Sequence, residues 1–406
     1  MHKPLRIIFE DTVFLMCIKI EVYDCDSGSA LQSLSNRIIP TIEDGNYLTS
    51  PLGLFFTLCT LLGSGGAKSN TGLQIAKALH IQSNQLDQND TSLEGCAEQA
   101  TRLYSSVLNS LTKEVTEIDT DQRKVITVAH GIFIKENSRV GEEFQRQLVE
   151  NFNLSVYKVN FADQNSTMKS INEWVENKTN SLIPTFFNTL KNVFHFKDVW
   201  EVPFMNDFTE LATFEVSLQR QIQVNLMSNE EELDYGDFPS EGFQMISKPL
   251  KNTRFTFIAI LPRIKWNIHS IYGFLNGSMS LEQYIKNLEN NMVSLKLPRF
   301  SMESTSNLIE VLKSIGVTDL FSPDKADLSG ITGEQNIYVT NFQQRNIIRV
   351  DEIGIAAGSV ANTVMIPLSA ARNPIEFHAT HPFICFVYDR ELKIPLFTAY
   401  VVEPSE

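Results

Sequence analysis

The chain lacks the sequence signatures of catalysis. Its 406 residues contain no Gly-x-Ser-x-Gly elbow, no His-Glu-x-x-His pair and no Walker or dinucleotide fingerprint. Glycines at positions 63, 65 and 66 follow a predicted helix rather than a strand, so they do not predict a phosphate-binding loop. His378 and His381 are close in sequence, but no cluster of cysteines or carboxylates accompanies them. We therefore expect neither an enzyme nor a bound metal or cofactor.

Cysteine and positive charge are also scarce. The five cysteines, at positions 17, 25, 59, 96 and 385, have no metal-binding spacing, and their odd number is not a disulfide framework. Cys59 and Cys385 lie in apolar runs, which predicts buried free thiols. The 34 lysines and arginines are outnumbered by 48 acidic residues, which gives a net charge of −14. This charge argues against nucleic acid or an anionic membrane as the main partner.

Two further kinds of partner are not expected. On a predicted amphipathic helix, Arg102 and Lys113 are offset by Glu98 and Glu114, so a heparin-type site is not indicated. The uncharged run at residues 353–371 is too short and too poor in large apolar side chains to span a membrane. We expect a monomer.

Residues 1–30 are a predicted leader. Basic side chains in the first six residues precede an apolar stretch at residues 12–20, and small residues follow, as in a secretory signal. Glu10 and Asp11 interrupt the apolar core, so a cleaved signal and a retained flexible segment both stay open. No repeat, low-complexity tract or proline-rich linker divides the rest of the chain, which predicts a single domain over residues 31–406.

Five Asn-x-Ser/Thr sequons are candidates for N-glycosylation. They lie at Asn89, Asn153, Asn165, Asn177 and Asn276. Their number favours a secretory route. We therefore expect an extracellular, secreted glycoprotein, with an intracellular protein as the alternative.

Hydrophobic periodicity predicts helices first and strands later. The predicted helices span residues 51–62, 71–79, 97–115, 141–152, 168–177 and 308–315. The predicted strands span residues 124–135, 193–200, 255–261, 292–297, 346–350, 383–387 and 395–402. The first helix should begin at Ser50 and Pro51, with the serine as its cap and the proline in its first turn. This order of elements predicts an α+β fold.

The most informative feature is a run of nineteen consecutive uncharged residues, 353–371. Asp351 and Glu352 precede it and Arg372 follows it. Its Gly, Ser and Thr residues disfavour a stable helix in water, and its two glycines and one proline disfavour a permanent strand. Small uncharged side chains suit a segment that is first exposed and later inserts between two strands, because no unpaired charge is then buried.

The chain resembles the serpin family over roughly residues 31–404. Six blocks in family order carry the resemblance: Ser50-Pro51-Leu52 with Leu62-Gly63, Ile171-Asn172-x-Trp174-Val175, Asn192 to Trp200, Leu297-Pro298-Arg299-Phe300, His381-Pro382-Phe383, and Pro395-Leu396-Phe397 with Val401-Val402. The resemblance implies a fold of about nine helices around three β-sheets with an exposed reactive-centre loop.

In the family the uncharged run would hold the hinge and the reactive-centre loop. The hinge positions implied are Glu352, Gly354, Ile355, Ala356, Ala357, Gly358 and Ser359. Glu352 and Gly354 match the Glu-x-Gly opening of the family, whereas Ile355 replaces the usual Thr or Ser and Ala356 the usual Glu. Because a strand alternates its faces, Ile355, Ala357 and Ser359 would point to the core after insertion.

The mechanism implied by the resemblance is suicide inhibition of a serine protease. The protease attacks the loop as a substrate and forms a covalent acyl-enzyme. The cut loop then inserts into the main sheet and carries the protease with it, which releases strain held in the metastable fold. Distortion of the oxyanion hole would slow deacylation, because even one lost donor costs about 10²–10³ in rate.

Two peptide bonds are candidates for the cleaved bond. The usual loop length of the family points to Leu368-Ser369, and leucine suits the apolar pocket of a chymotrypsin-like protease. The rival is Arg372-Asn373, which suits a trypsin-like protease but needs a loop four residues longer.

A polar cluster beneath the opening point of the main sheet, the shutter, would contain Ser50, Gly53, Asn192 and Gln344. Gly53 stands where the family usually has Ser, and Gln344 where it usually has His. Glutamine both donates and accepts, so a hydrogen-bonded latch is retained as an expectation. The alternative to an inhibitor is a non-inhibitory serpin that acts as a carrier, chaperone or storage protein, but residues 355–361 contain neither the charges nor the prolines that would favour it.

Overall fold

A computed structural model gives the fold. It describes residues 13–14, 45–81, 93–112, 126–127, 132–136, 139–160, 163, 165–167, 169–170, 173–174, 195–196, 198–265, 268, 271, 280–333, 337–339, 342–355 and 374–405. The α-helices with defined bounds are Pro51–Gly63 (α1), Ser69–Ala78 (α2), Leu93–Thr112 (α3), Glu142–Phe152 (α4), Leu281–Lys286 (α5), Ile309–Ser314 (α6) and Ser329–Thr332 (α7). Short 3-10 helices lie at Asn206–Phe208 and Asp319–Phe321.

The described strands are mostly in the second half of the chain, as predicted. They are Val13–Phe14 (β1), Tyr47–Thr49 (β2), Ile126–Thr127 (β3), Ile132–Lys135 (β4), Val156–Val159 (β5), His195–Phe196 (β6), Asp198–Val199 (β7), Glu210–Ser217 (β8), Arg220–Phe238 (β9), Phe243–Pro249 (β10), Phe255–Pro262 (β11), Glu289–Pro298 (β12), Phe300–Asn307 (β13), Gln343–Val350 (β14), Gly354–Ile355 (β15), Ile375–His378 (β16), Phe383–Asp389 (β17) and Ile394–Val401 (β18).

Helix α1 begins at Pro51, as the sequence predicts. The fixed φ of proline suits the first turn of a helix, where its missing N–H is not needed. Ser50 precedes the helix but makes no side-chain cap hydrogen bond. Gly63 ends the helix in close contact, since a Cβ atom there would lie 2.6 Å from both Phe152 and Thr101. Glycine at this position therefore lets α1 approach α3 and α4.

The largest sheet has the strand order β16-β12-β9-β10-β11-β17-β18-β2, with β8 also paired to β9. Every residue of β11 is buried. Phe257 and Ala259 face the main core, whereas Ile258 and Ile260 face a second apolar cluster on the opposite side of the sheet. A strand that is covered on both faces has a nearly continuous apolar sequence instead of an alternating one. This pattern predicts β11.

A second sheet has the order β13-β14-β15-β7. Its long strands β13 and β14 are antiparallel, and β15 lies between β14 and β7. Smaller sheets join β1, β4 and β5, and β3 with β6. The strand predicted at residues 124–135 is described as two separate strands, β3 and β4. The predicted α+β class is confirmed.

Candidate functional site: the base of the uncharged segment

The uncharged segment begins inside a sheet. Its residues Gly354 and Ile355 form β15, in which Ile355 pairs with Val350 of β14 on one side and with Asp198 of β7 on the other. Gly354 pairs with Val199. Gly354 and Ile355 therefore occupy a strand position between β14, which directly precedes them in the chain, and β7, which is distant in sequence.

A tight turn at residues 351–353 reverses the chain from β14 into β15. The Asp351 carboxylate accepts the backbone N–H groups of Ile353 (2.9 Å) and Gly354 (3.0 Å), and the Asp351 N–H donates to the Gly354 carbonyl (3.0 Å). Aspartate commonly closes such turns through its own side chain.

Steric crowding explains the glycine of the Glu-x-Gly pair. A Cβ atom at Gly354 would lie 2.5 Å from the Cα atom of Val199 and would also overlap the Asp198 carbonyl oxygen. Any side chain here would push β15 away from β7. Ile355 follows with only 1% of its surface exposed and packs into the main core.

Two residues of the segment after β7 hold the turn in place. The Trp200 N–H donates to the Ile353 carbonyl (2.9 Å), and its indole Nε1–H donates to the Asp351 carbonyl (2.8 Å). The Phe204 N–H donates to the Glu352 carbonyl (2.9 Å). We call these five residues, Trp200, Phe204, Asp351, Glu352 and Ile353, the hinge clamp.

Within the hinge clamp, the side chain of Glu352 is buried. Its Oε1 atom accepts the Thr209 hydroxyl (2.9 Å) and lies 3.5 Å from the Arg299 guanidinium. Arg299 belongs to the Leu-Pro-Arg-Phe block, which the sequence singled out without assigning it this partner. A buried carboxylate needs such partners, because an unpaired buried charge is strongly unfavourable.

Asp198 is a second buried acid at the site. Its carboxylate accepts the N–H groups of Val199 (2.9 Å) and Asn252 (3.3 Å). Burial raises the pKa of Asp198 to about 6, although the two N–H groups and Lys251 oppose this shift.

The expected shutter is only partly described. Ser50 is buried, and the Gly53 carbonyl accepts the Thr57 hydroxyl (2.9 Å). Gln344 lies on β14 opposite Ser306, and Asn192 lies outside the described residues. Sequence reasoning missed Asn346, which is fully buried two residues after Gln344 and donates from Nδ2 to the Leu48 carbonyl (3.1 Å). Because residues two apart on a strand lie on the same face, the prediction of Gln344 could have indicated Asn346 as well.

Several other predicted sites fall outside the described residues. They are Ala356, Ala357, Gly358, Ser359, Leu368, Ser369, Arg372, Asn373, Asn89, Asn177 and Asn276. Two of the sequons, Asn153 and Asn165, are described, and both asparagines are exposed. Asn153 has φ 51° at the end of α4, a left-handed conformation that asparagine tolerates well.

The isolated thiols and histidines have structural surroundings. The predicted burial of Cys59 and Cys385 as free thiols is confirmed, and burial raises the pKa of both. The buried His381 ring hydrogen-bonds through Nε2 to the Pro262 carbonyl (2.9 Å). Burial lowers the pKa of His381 to about 4, with Lys265 adding to the effect and Glu215 opposing it.

The described part of the chain contains no group of three His, Cys, Asp or Glu residues that could hold a metal ion. Among its helices, none is both long enough and apolar enough to cross a membrane. What the site contains is strand pairing and buried hydrogen bonds.

Comparisons with known proteins show what this chain is similar to. Residues 30–404 match the model of the family described as Serpin (serine protease inhibitor). Human neuroserpin is 25% identical over 392 residues, a match that covers 92% of this chain and 90% of neuroserpin. Alpha-1-antiproteinase 2 of Equus caballus is 26% identical over 384 residues, with 92% of this chain and 85% of that protein covered.

Among solved structures, a serpin from the trematode Schistosoma haematobium superposes with a TM-score of 0.81. Its sequence is 38% identical, and the match covers 94% of this chain and 100% of that chain.

Proposed function

Because the chain belongs to the serpin family, we propose that it inhibits a serine protease by suicide cleavage and insertion of its reactive-centre loop. It has the α+β serpin fold. The observation that carries the proposal is the position of β15: Gly354 and Ile355 already lie between β14 and β7, where a longer inserted strand would run.

Insertion of the following residues would incur no electrostatic penalty from a buried charge. The segment carries no charge up to Arg372, so an added strand would bury no unpaired ion. Ile355 is buried, so in an inserted strand with alternating faces Ala357, Ser359 and Ala361 would point toward the core. These are small side chains, which lower the steric barrier to insertion between two strands.

The proposed cleaved bond is Leu368-Ser369, with Arg372-Asn373 as the rival. Attack by the protease serine would form an acyl-enzyme on the carbonyl of the cleaved residue and release the downstream amine. Insertion of the upstream arm then removes the acyl carbonyl from its oxyanion donors, which slows hydrolysis of the ester. A leucine would select a chymotrypsin-like protease and an arginine a trypsin-like protease.

A covalent complex tests the proposal directly. The protein is incubated with chymotrypsin and with trypsin, the products are separated in SDS, and the released fragment is weighed by mass spectrometry. We expect an SDS-stable complex and a fragment that begins at Ser369. A fragment that begins at Asn373 would move the assignment to the rival bond.

Thermal melting of the loop-cleaved protein distinguishes an inhibitor from a carrier. Insertion adds a strand and its backbone hydrogen bonds, so the cleaved inhibitor should melt well above the intact protein. Cleavage that yields neither a covalent complex nor a higher Tm would overturn the proposal and favour a non-inhibitory serpin.

We also propose that the protein is secreted. Exposure of Asn153 and Asn165 is compatible with glycosylation of both sequons. Loss of mass after glycosidase treatment of protein expressed through a secretory route would support this location, whereas an unmodified chain retained in the cell would contradict it.

A further inference from the structure

A fully buried lysine lies beneath the hinge clamp. Lys248 of β10 has none of its surface exposed. Its Nζ atom donates to the Val202 carbonyl (2.9 Å) and to the carboxylate of Glu231 on the neighbouring strand β9. Asn229 also donates to that carboxylate (3.1 Å), so the charge pair is held in one geometry.

The Lys248 ammonium also contacts the two aromatic residues of the hinge clamp. Its Nζ atom lies 4.8 Å from the centroid of the Phe204 ring and 5.4 Å from that of the Trp200 ring. The two rings contact each other edge to face, with centroids 6.0 Å apart. A cation at this distance from an aromatic ring is attracted to its face.

Stability alone is a weak reason for this arrangement. Taking two charges out of water is unfavourable, and apolar residues of similar volume often serve a core equally well. Burial lowers the pKa of Lys248, with Glu231 opposing the shift, which reflects the unfavourable burial of the ammonium. Lys248 makes a contact that an apolar side chain cannot make. Its ammonium donates a hydrogen bond to the Val202 carbonyl and also contacts the rings of Trp200 and Phe204.

We propose that Lys248 is a positioning residue for the reactive-centre loop. It fixes residues 200–204, so that the N–H groups of Trp200 and Phe204 hold the hinge. The chain of contacts runs from Glu231 to Lys248, then to the Val202 carbonyl and the two rings, and from Trp200 and Phe204 to the carbonyls of residues 351–353. Its consequence for inhibition rests on the proposed function, whereas its consequence for the hinge clamp does not.

The chain offers a matched control pair elsewhere. Arg254 donates to Asp389 through Nε (2.9 Å) and Nη2 (2.6 Å), and Asp389 is fully buried. Arg254 also reaches Ser110 of α3 through Nη2 (3.1 Å). This ion pair joins α3 to the end of β17, so its loss should destabilise the fold without loosening residues 200–204.

The experiment compares three variants of the full chain: Lys248→Met, Lys248→Met with Glu231→Gln, and Arg254→Met. Hydrogen exchange is measured at the amides of Trp200 and Phe204, and the number of inhibitor molecules consumed per protease inhibited is measured by titration. Tm is recorded for each variant. The double variant has no unpaired buried charge, so it supplies a folded protein even if Lys248→Met alone does not fold.

We expect both amides to exchange about tenfold faster in the double variant than in the wild type, a change that corresponds to about 1.4 kcal/mol. More inhibitor should be consumed per protease, because a loosely held hinge inserts later relative to deacylation. Arg254→Met should lower Tm but leave the two amides and the titration unchanged.

Wild-type protection of both amides in the double variant would overturn the inference, since Lys248 would then merely neutralise Glu231. Equal acceleration in Arg254→Met would also overturn it, because the effect would be one of general stability. If the wild type forms no covalent complex but the amides of the double variant still exchange faster, the proposed function fails and the role of Lys248 in the hinge clamp stands.

Discussion

Gly354 and Val199 face each other across β15 and β7 so closely that a Cβ atom on the glycine would lie 2.5 Å from the Val199 Cα atom. Real Cβ atoms do not approach backbone this closely, and the neighbouring strand cannot give way as a flexible side chain could. The absence of a side chain at one position thus determines whether the uncharged segment can begin in the sheet.

Substitution of Gly354 by alanine should detach β15 from β7. Overpacking of this kind typically costs about 1–3 kcal/mol. We expect a lower Tm and more cleavage of the loop without complex formation, measured by thermal unfolding and by the stoichiometry of inhibition. Gly141→Ala is the control, because a Cβ atom there meets its nearest neighbours at 3.5 Å. Equal behaviour of the two variants would refute the steric role of Gly354.

Substitution of Ile355 by arginine should convert the inhibitor into a substrate. The site is 1% exposed, and burial of an unpaired charge costs several kcal/mol, so β15 should leave the sheet to hydrate the guanidinium. Ile355→Val is the control, with an expected loss of only about 0.5–1.5 kcal/mol. Gel analysis of complex against cleaved product measures the outcome, and an arginine variant that inhibits as the wild type does would count against loop insertion.

His381 should make the protein less stable in acid. Its pKa is about 4 in the folded protein, against 6.5 ordinarily, so the unfolded chain binds the proton more readily between these values. Stability from this group is complete above pH 6.5 and is lost as pH falls to 4, by on the order of 3 kcal/mol. His381→Gln should remove that part of the pH dependence in urea unfolding, and a variant curve parallel to the wild-type curve would contradict the prediction.

Asp198 should make the protein more stable in acid, which is the opposite of the effect of His381. Its folded pKa of about 6 exceeds the ordinary 3.8, so the folded protein binds the proton more readily. Its contribution is complete below pH 3.8 and is lost as pH rises through 6, by on the order of 3 kcal/mol. Asp198→Asn should therefore lose stability more steeply than the wild type as pH falls from 6 to 4. Combining it with His381→Gln should flatten the curve, and a double variant as steep as Asp198→Asn alone would disprove this pairing of effects.

Features that depend on neighbours in sequence could be predicted from the sequence. Helix α1 follows from Ser50-Pro51 and a long apolar run, and β11 follows from continuous apolar residues ended by Pro262. The buried thiols follow from the same local hydrophobicity. In each case the chain carries its own signal within one element.

The contacts that build the site could not be predicted in this way. Trp200 and Asp351 are 151 positions apart, and Asn346 and Leu48 are 298 apart. Such pairs depend on which strands become neighbours, and no periodicity along one strand specifies its partner. From the sequence alone, Lys248 would be expected to be exposed to solvent. Only the positions of Glu231 and Val202 explain its burial.

The hydrogen bond from the Trp200 indole to the Asp351 carbonyl also gives the molecule an intrinsic optical reporter. The chain has three tryptophans, and replacing Trp174 and Trp266 by phenylalanine would leave this indole as the main emitting group. Its emission wavelength depends on burial and on the partner of Nε1–H, so movement of the hinge would shift the fluorescence without any added label. Stopped-flow emission could thereby time the insertion of the segment that is proposed to follow cleavage by a protease.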